Sequence, residues 1–482
     1  MDRAKIILIT VLISISAFLA LSHFTDLPDK PSEFFFDASS KIIHLPKEKF
    51  FGVTPFFFNQ DKKFELLLSG YGVSNVILSD NGFALTSIKE HPLKDPFGQT
   101  SSVTACDLNG DGVNELFAIN KFLNINNKIS KNRLFKKVGD DWIDLLENKS
   151  SDHENKSVSA LCIDRDNDNR FELFILRDSQ PFQYLQLKNN KIVDIANKLK
   201  VNQIIAKVKS SIVIPDKDGK PNIFIGVEDG PNIFLKLKEN NTYVNYSKES
   251  NLTDPYNDAR GISLIDYNND EKIDVVFGNY DGPIKLFIQE EDASFSEVIS
   301  KDLNGKFYTS SLAVSDFNLD GTQDLYINSR FGKNYLFLNK SGLWKEEVIK
   351  TGLEDNKAGT SVLVGDLLFN GANEILITHG LGEKSQPTLY STKSHNNWVG
   401  ILPILETGEI ARNALVIAQT TLGKRSRVIS TGSSPYSSNI PIAHFGLKRD
   451  EKLINFKIIY NGRSLSFLSD RLKSKEVNII NI

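Results

Sequence analysis

Seven stretches of this chain line up at near-equal intervals, each built round alternating oxygen-bearing side chains. The clearest is Asp107-Leu-Asn-Gly-Asp-Gly-Val-Asn-Glu115, with Asp107, Asn109, Asp111 and Glu115 at positions one, three, five and nine and glycine at position six. Asp164, Asp166, Asp168 and Glu172 repeat the pattern. So do Asp266, Asn268, Asp270 and Asp274, and again Asp316, Asn318, Asp320 and Asp324. Asp366, Asn370 and Glu374 form a fifth copy with Leu368 at the third position. Two more are visible only by register: Ile214 precedes Asp216, Asp218 and Asn222, and Phe57 precedes Asn59, Asp61 and Glu65. First positions fall at 57, 107, 164, 214, 266, 316 and 366, with spacings of 50, 57, 50, 52, 50 and 50. A period near 50 residues marks a repeat architecture, in which a unit buries its apolar faces against its neighbours.

The loop pattern points to a hard divalent cation. Alternate side chains of a tight loop face inward, glycine lets the backbone turn, and the last carboxylate closes the shell. Seventh positions, here Val113, Arg170, Lys272 and Thr322, complete such a set with a backbone carbonyl. Ca²⁺ fits better than Mg²⁺, because its flexible cage of oxygens tolerates imperfect geometry. Turn chemistry explains Asp and Asn in a turn. It does not explain a carboxylate at the ninth position, where the next strand begins. Without a cation, each like-charged pair at about 4 Å costs about 4 kcal/mol at an effective dielectric of about 20. Four structural Ca²⁺ sites are therefore expected, with a possible fifth at Asp366, Asn370 and Glu374. The Ile214 and Phe57 loops are expected to lack metal.

Around each loop the sequence predicts strands. A stretch of small and β-branched residues leads in (Ser101 to Ala105, Ser311 to Ser315), and an apolar strand leads out (Glu115 to Ile119, Glu172 to Leu176, Asp274 to Phe277, Asp324 to Ile327, Glu374 to Ile377). A third strand carries Tyr184, Phe234, Phe287, Phe337 or Tyr390, and a variable fourth follows. In the second repeat the equivalent aromatic, Phe135, arrives late, which predicts a surface hairpin between Asn120 and Lys131. Four short strands repeated seven times predict an all-β fold, a seven-bladed β-propeller over residues 46–394. Closing the ring removes the free edges of an open sheet. Residues 23–45 read as a linker, and a strand within Glu33–Ile43 is expected to join the last blade and latch the ring.

Residues 1–22 combine Arg3 and Lys5, an apolar run from Ile6 to Leu21, and the small-residue exit Ala20-Leu21-Ser22. They read as a secretory signal peptide or, uncleaved, as a membrane anchor. Either places the body outside the cytoplasm: periplasmic, envelope-associated or secreted. Membrane contact is expected only through that segment. A net charge of −3 with no basic stripe argues against nucleic acid. Cys106 and Cys162 have opposite parity on their strands, so they read as two buried thiols facing different ways, with a disulfide as the alternative.

Beyond residue 395 the acidic loops stop, and short alternating strands predict a smaller, β-sandwich-like domain over 395–482. The Asp-x-Asn-x-Asp-Gly-x-x-Asp/Glu loops, each leading into an apolar strand, resemble FG-GAP/VCBS repeats, the units of integrin α-subunit propellers. Gly408-Glu-Ile-Ala-Arg412, Gly432 to Ser438 and His444-Phe-Gly-Leu447 are similar to the ASPIC/UnbV domain that follows such propellers in relatives of cartilage acidic protein. Tyr460-Asn-Gly462 departs from the usual Trp-Pro-x-Gly turn. The resemblance implies Ca²⁺ held by the loop aspartates and asparagines, and it supplies no chemistry for the C-terminal domain.

None of the seven histidines makes a zinc-ligand spacing, and there is no nucleophile elbow or phosphate loop. His444 reads as a hydrogen-bonded strand-end residue. The function expected is a calcium-binding interaction or adhesion module for a protein or glycan. The alternative is a propeller enzyme (lyase, hydrolase or oxidoreductase) with catalytic side chains from several blades converging in the axial funnel.

Overall fold

The structure is a computed structural model that describes residues 35–57, 63–88, 90–96, 98–121, 131–139, 141–147, 156–347, 357–393, 396–430, 436 and 439–482, with the backbone of 124–125 and 128–129. The expected leader or anchor, Asn59 and Asp61 of the Phe57 loop, and most of Gly432–Ser438 lie outside these residues.

The fold is all-β and made of many small antiparallel sheets. Among the described residues, seven four-stranded units follow one another. Their first strands are Phe50–Phe56, Thr100–Cys106, Ser157–Ile163, Val208–Pro215, Ala259–Ile265, Phe307–Ser315 and Ser361–Gly365. Each of these packs beside the next, and the last packs beside the first, so the units close into a ring with these strands innermost. Phe35–Asp37 pairs with Thr388–Thr392 and supplies the outermost strand of the seventh unit, while Ile42–Ile43 joins the first unit. The two ends of the ring are thus tied by chain from before its first unit. Asn124–Ile125 pairs with Lys128–Ile129, a small hairpin where the late aromatic predicted one.

Pleating explains the near-continuous apolar strands. In Glu374–Thr378, Ile375 and Ile377 face the sixth unit while Leu376 faces the first. Every interface between neighbouring units is filled in this way by one buried cluster, each fully buried large side chain contributing roughly 1.5–3 kcal/mol. The third-strand aromatics Tyr184, Phe234, Phe287, Phe337 and Tyr390 are all buried there.

This geometry corrects the cysteine reading: Cys106 and Cys162 form a disulfide, with Cα atoms 5.5 Å apart. The parity argument assumed a shared face. Neighbouring units meet through opposite faces, so a residue one before its loop and a residue two before the next loop point at each other, and both belong to one buried cluster.

The C-terminal residues form two sheets. One contains Ala443–Leu447, Asn397–Ile404 and Val477–Asn481, and the other Gly423–Val428, Leu415–Thr420, Leu453–Tyr460 and Arg463–Leu468. Their apolar faces share a core with the second and third units, including Ile401, Val416, Phe445 and Phe456. No helix among the described residues is long and apolar enough to cross a membrane.

Candidate metal centres

Each acidic loop joins the innermost strand of its unit to the second, and five of them share one hydrogen-bond scheme. The ninth-position carboxylate accepts from the second-position N–H: Leu108 to Glu115 at 2.8 Å, Arg165 to Glu172 at 3.3 Å, Tyr267 to Asp274 at 2.9 Å, Phe317 to Asp324 at 3.0 Å and Leu367 to Glu374 at 2.8 Å. The first-position carboxylate accepts from the fifth-position N–H in all five. The seventh-position N–H of Val113, Arg170, Lys272 and Thr322 in turn donates to the fifth side chain. These bonds tie the first- and ninth-position carboxylates to their own loop's backbone. Asn109, Asn268 and Asn318 reach the fifth-position carboxylate at 2.8, 3.0 and 3.2 Å. Both the fourth and sixth positions take left-handed backbone, as at Gly110 and Gly112, Asn167 and Asn169, and Leu319 and Gly321. The sixth-position glycine was expected; the fourth-position turn carries no residue signature and was not.

The donor set fits a cation. In the third unit one oxygen each of Asp164, Asp166 and Asp168 lies within 4.8 Å of the others. Burial pushes Asp164 and Asp266 up to about 6, Glu115, Asp274 and Asp316 to about 7, and Glu172 to about 8. Neighbouring loop carboxylates add to the rise in each case. Such a cluster of unwilling anions is what a divalent ion stabilises. The loops are not equivalent, however. Arg165 reaches Asp166 at 2.8 Å and Glu172 at 3.3 Å, so the third loop carries a cation of its own. Lys272 lies 3.2 Å from Asp270. In the seventh unit Glu374 is satisfied by Asn370, Ser391 and two backbone N–H groups, and Leu368 offers no oxygen.

The loop-bearing end of the ring is covered. Asn114 donates to Glu409 at 2.6 Å, Tyr460 and Asn461 donate to Asp164, Ser426 N–H donates to Asp266, and Arg427 donates to the Gly321 carbonyl. Gly446 lies so close that a Cβ there would sit 2.2 Å from Asp316 Oδ2. Ile214, which replaces a ligand in the fourth unit, is buried in one cluster with Leu415 and Ile459 of the C-terminal domain. An apolar contact stands there in place of a metal-loop carboxylate. Between the domains a cavity of about 80 Å³ is lined by Asp266, Asp316, Asp366, Arg427 and His444. His444 is half-buried, stacks on Trp398 with ring centroids 4.8 Å apart, and has its pKa lowered to about 3 by desolvation and nearby Arg427.

Residues 266–327, which hold the fifth and sixth loops, match the FG-GAP-like repeat. Cartilage acidic protein 1 of Mus musculus is 27% identical over 459 residues, covering 84% of this chain and 70% of that protein. The Homo sapiens protein is 26% identical over 459 residues, covering 84% and 68%. This chain is a distant homologue of cartilage acidic protein 1. A span of 84% is longer than the ring, so the homology to cartilage acidic protein 1 is not confined to the repeats. Among solved structures, β-propellers resemble the chain. BBS1N in complex with ARL6DN gives a TM-score of 0.45 at 12% identity, over 75% of this chain and 98% of that chain. Saccharomyces cerevisiae Sqt1 gives 0.46 at 10%, over 75% and 98%.

Proposed function

We propose that this protein is a calcium-stabilised, extracytoplasmic interaction module: a seven-bladed propeller whose acidic loops hold four Ca²⁺ ions and whose β-sandwich-like C-terminal domain caps the loop-bearing end. One observation carries the reading, namely the shared scheme in which buried first- and ninth-position carboxylates accept from backbone N–H groups of their own loop. Asp107, Asn109, Asp111 and Glu115, and their counterparts at 164, 266 and 316, would hold the ions. Bound Ca²⁺ would neutralise these carboxylates and fix the turns on which the C-terminal domain rests. The partner is a protein or glycan, met on the uncapped end of the ring or on the C-terminal domain. The Cys106–Cys162 disulfide supports a location outside the cytoplasm, where disulfides persist.

Elemental analysis of purified protein tests the reading: about four Ca²⁺ per chain are expected, with a lower melting temperature in chelator. Less than one equivalent, with no thermal shift on adding Ca²⁺, would sink it.

The convergence of Asp266, Asp316, Asp366 and Arg427 favours a second reading, an enzyme with an axial site. A volume near 80 Å³ has room for a few waters and no substrate, which leaves the interaction module ahead.

A further inference from the structure

With one end of the ring capped, the opposite end is where a ligand can reach the units, and it carries a cleft of about 850 Å³ between the sixth and seventh. That volume falls in the range of small-ligand sites. Its walls hold Lys47, Arg330, Lys357 and Lys384 against Asp37 and Glu383, an excess of two positive charges on a chain whose net charge is −3. Lys384 is tied to Glu48 at 2.8 Å. Arg330 lies beside the ring of Phe331, its guanidinium carbon 5.8 Å from the centroid, and neither it nor Lys357 has a carboxylate partner among the described residues.

Phe331 is 54% exposed on the rim. It is held by an aromatic ladder, 6.0 Å from Tyr308, which is 6.1 Å from Tyr280, whose face Arg260 covers at 4.3 Å. The strand pairing of Tyr280 with Tyr308 bridges the fifth and sixth units and fixes this ladder. A flat apolar ring beside two uncommitted cations matches a ligand that is ring-shaped and anionic.

We infer that this cleft binds an acidic oligosaccharide, with a uronate or sulfate against Arg330 and Lys357 and a sugar face on Phe331. The inference rests on the interaction-module reading and supplies its ligand class. An acidic peptide would answer the charges but not the exposed ring.

Calorimetric titration of the Ca²⁺-loaded full chain tests it, using a sulfated uronate hexasaccharide, an unsulfated one, a neutral glucan hexasaccharide and a glutamate decamer. One of the two acidic sugars is expected to bind at least tenfold more tightly than the neutral sugar and the peptide, and which one names the anionic group. Arg330→Gln/Lys357→Gln should weaken that binding at least tenfold and Phe331→Ala several-fold, both variants keeping the parent's calcium content and melting temperature. Binding by neither acidic sugar, equal binding of the decamer, or variants that bind as the parent does would overturn the inference. Calcium content measured on the same samples tells that failure from failure of the metal reading.

Discussion

The backbone N–H of Ser426 donates to Oδ2 of Asp266 across 2.6 Å, so the first position of an acidic loop also holds the C-terminal domain. Tyr460 does the same to Asp164 at 3.1 Å, and Gly446 packs on Asp316. Loop order and domain seating are therefore expected to be coupled. Chelation should lower the melting temperature and also raise amide hydrogen exchange in Gly423–Val428 and Ala443–Leu447, neither of which carries a metal ligand. Exchange that rises in the loops alone would break the link.

Within the ring, the loops should separate by ligand content. Asp316→Ala/Asp320→Ala removes two carboxylates from a complete set and should cost one Ca²⁺ equivalent with a clear loss of stability. Asp216 instead accepts N–H bonds from Asp218 and Lys220 in a tight turn headed by Ile214. Asp216→Ala should keep every calcium and cost about 1 kcal/mol, the usual worth of such bonds. Elemental analysis and urea midpoints decide; a lost equivalent at Asp216 contradicts the assignment.

Much of this was legible in the sequence because repetition multiplies weak signals. One Asp-rich turn is ordinary, whereas copies spaced alike fix the strand order, the third-strand aromatics and the joining strand at Phe35–Asp37. What stayed hidden depends on how units face one another. The disulfide follows from opposite faces meeting, which parity within a strand does not reveal. The second position of a loop carries no sequence signature, yet Arg165 there pairs with Glu172 seven residues on. The cap could not be read either, although Ile214, apolar where oxygen was due, was its trace. Ile214 shares a buried cluster with the C-terminal domain, and Leu368 packs against the cluster joining the seventh and first units.

The Cys106–Cys162 bridge closes a loop of 56 residues between neighbouring units. By chain entropy a loop of that length is worth about 4 kcal/mol. Cys106→Ala/Cys162→Ala should lower the urea midpoint accordingly while leaving calcium content unchanged. An unaltered midpoint would show that the packing between these units does not need the bridge.

A buried imidazole gives the pH dependence a defined sign. His379 is 2% exposed and shares a hydrogen bond between Nε2 and Thr388 Oγ1 at 2.9 Å. Burial, helped by nearby Lys357, lowers its pKa to about 4, against an ordinary 6.5. Between those values the unfolded chain binds the extra proton, so His379 opposes folding increasingly as pH falls from 6.5 towards 4 and has no such effect above 6.5. His379→Gln removes the titration while keeping a side chain able to meet Thr388. With Ca²⁺ saturating, its unfolding free energy should fall less steeply with acid than the parent's, by up to about 1.4 kcal/mol per pH unit in that window. Denaturant unfolding at pH 7.5, 6.0 and 5.0 measures the two slopes, and slopes that coincide would mean His379 is protonated in the folded protein.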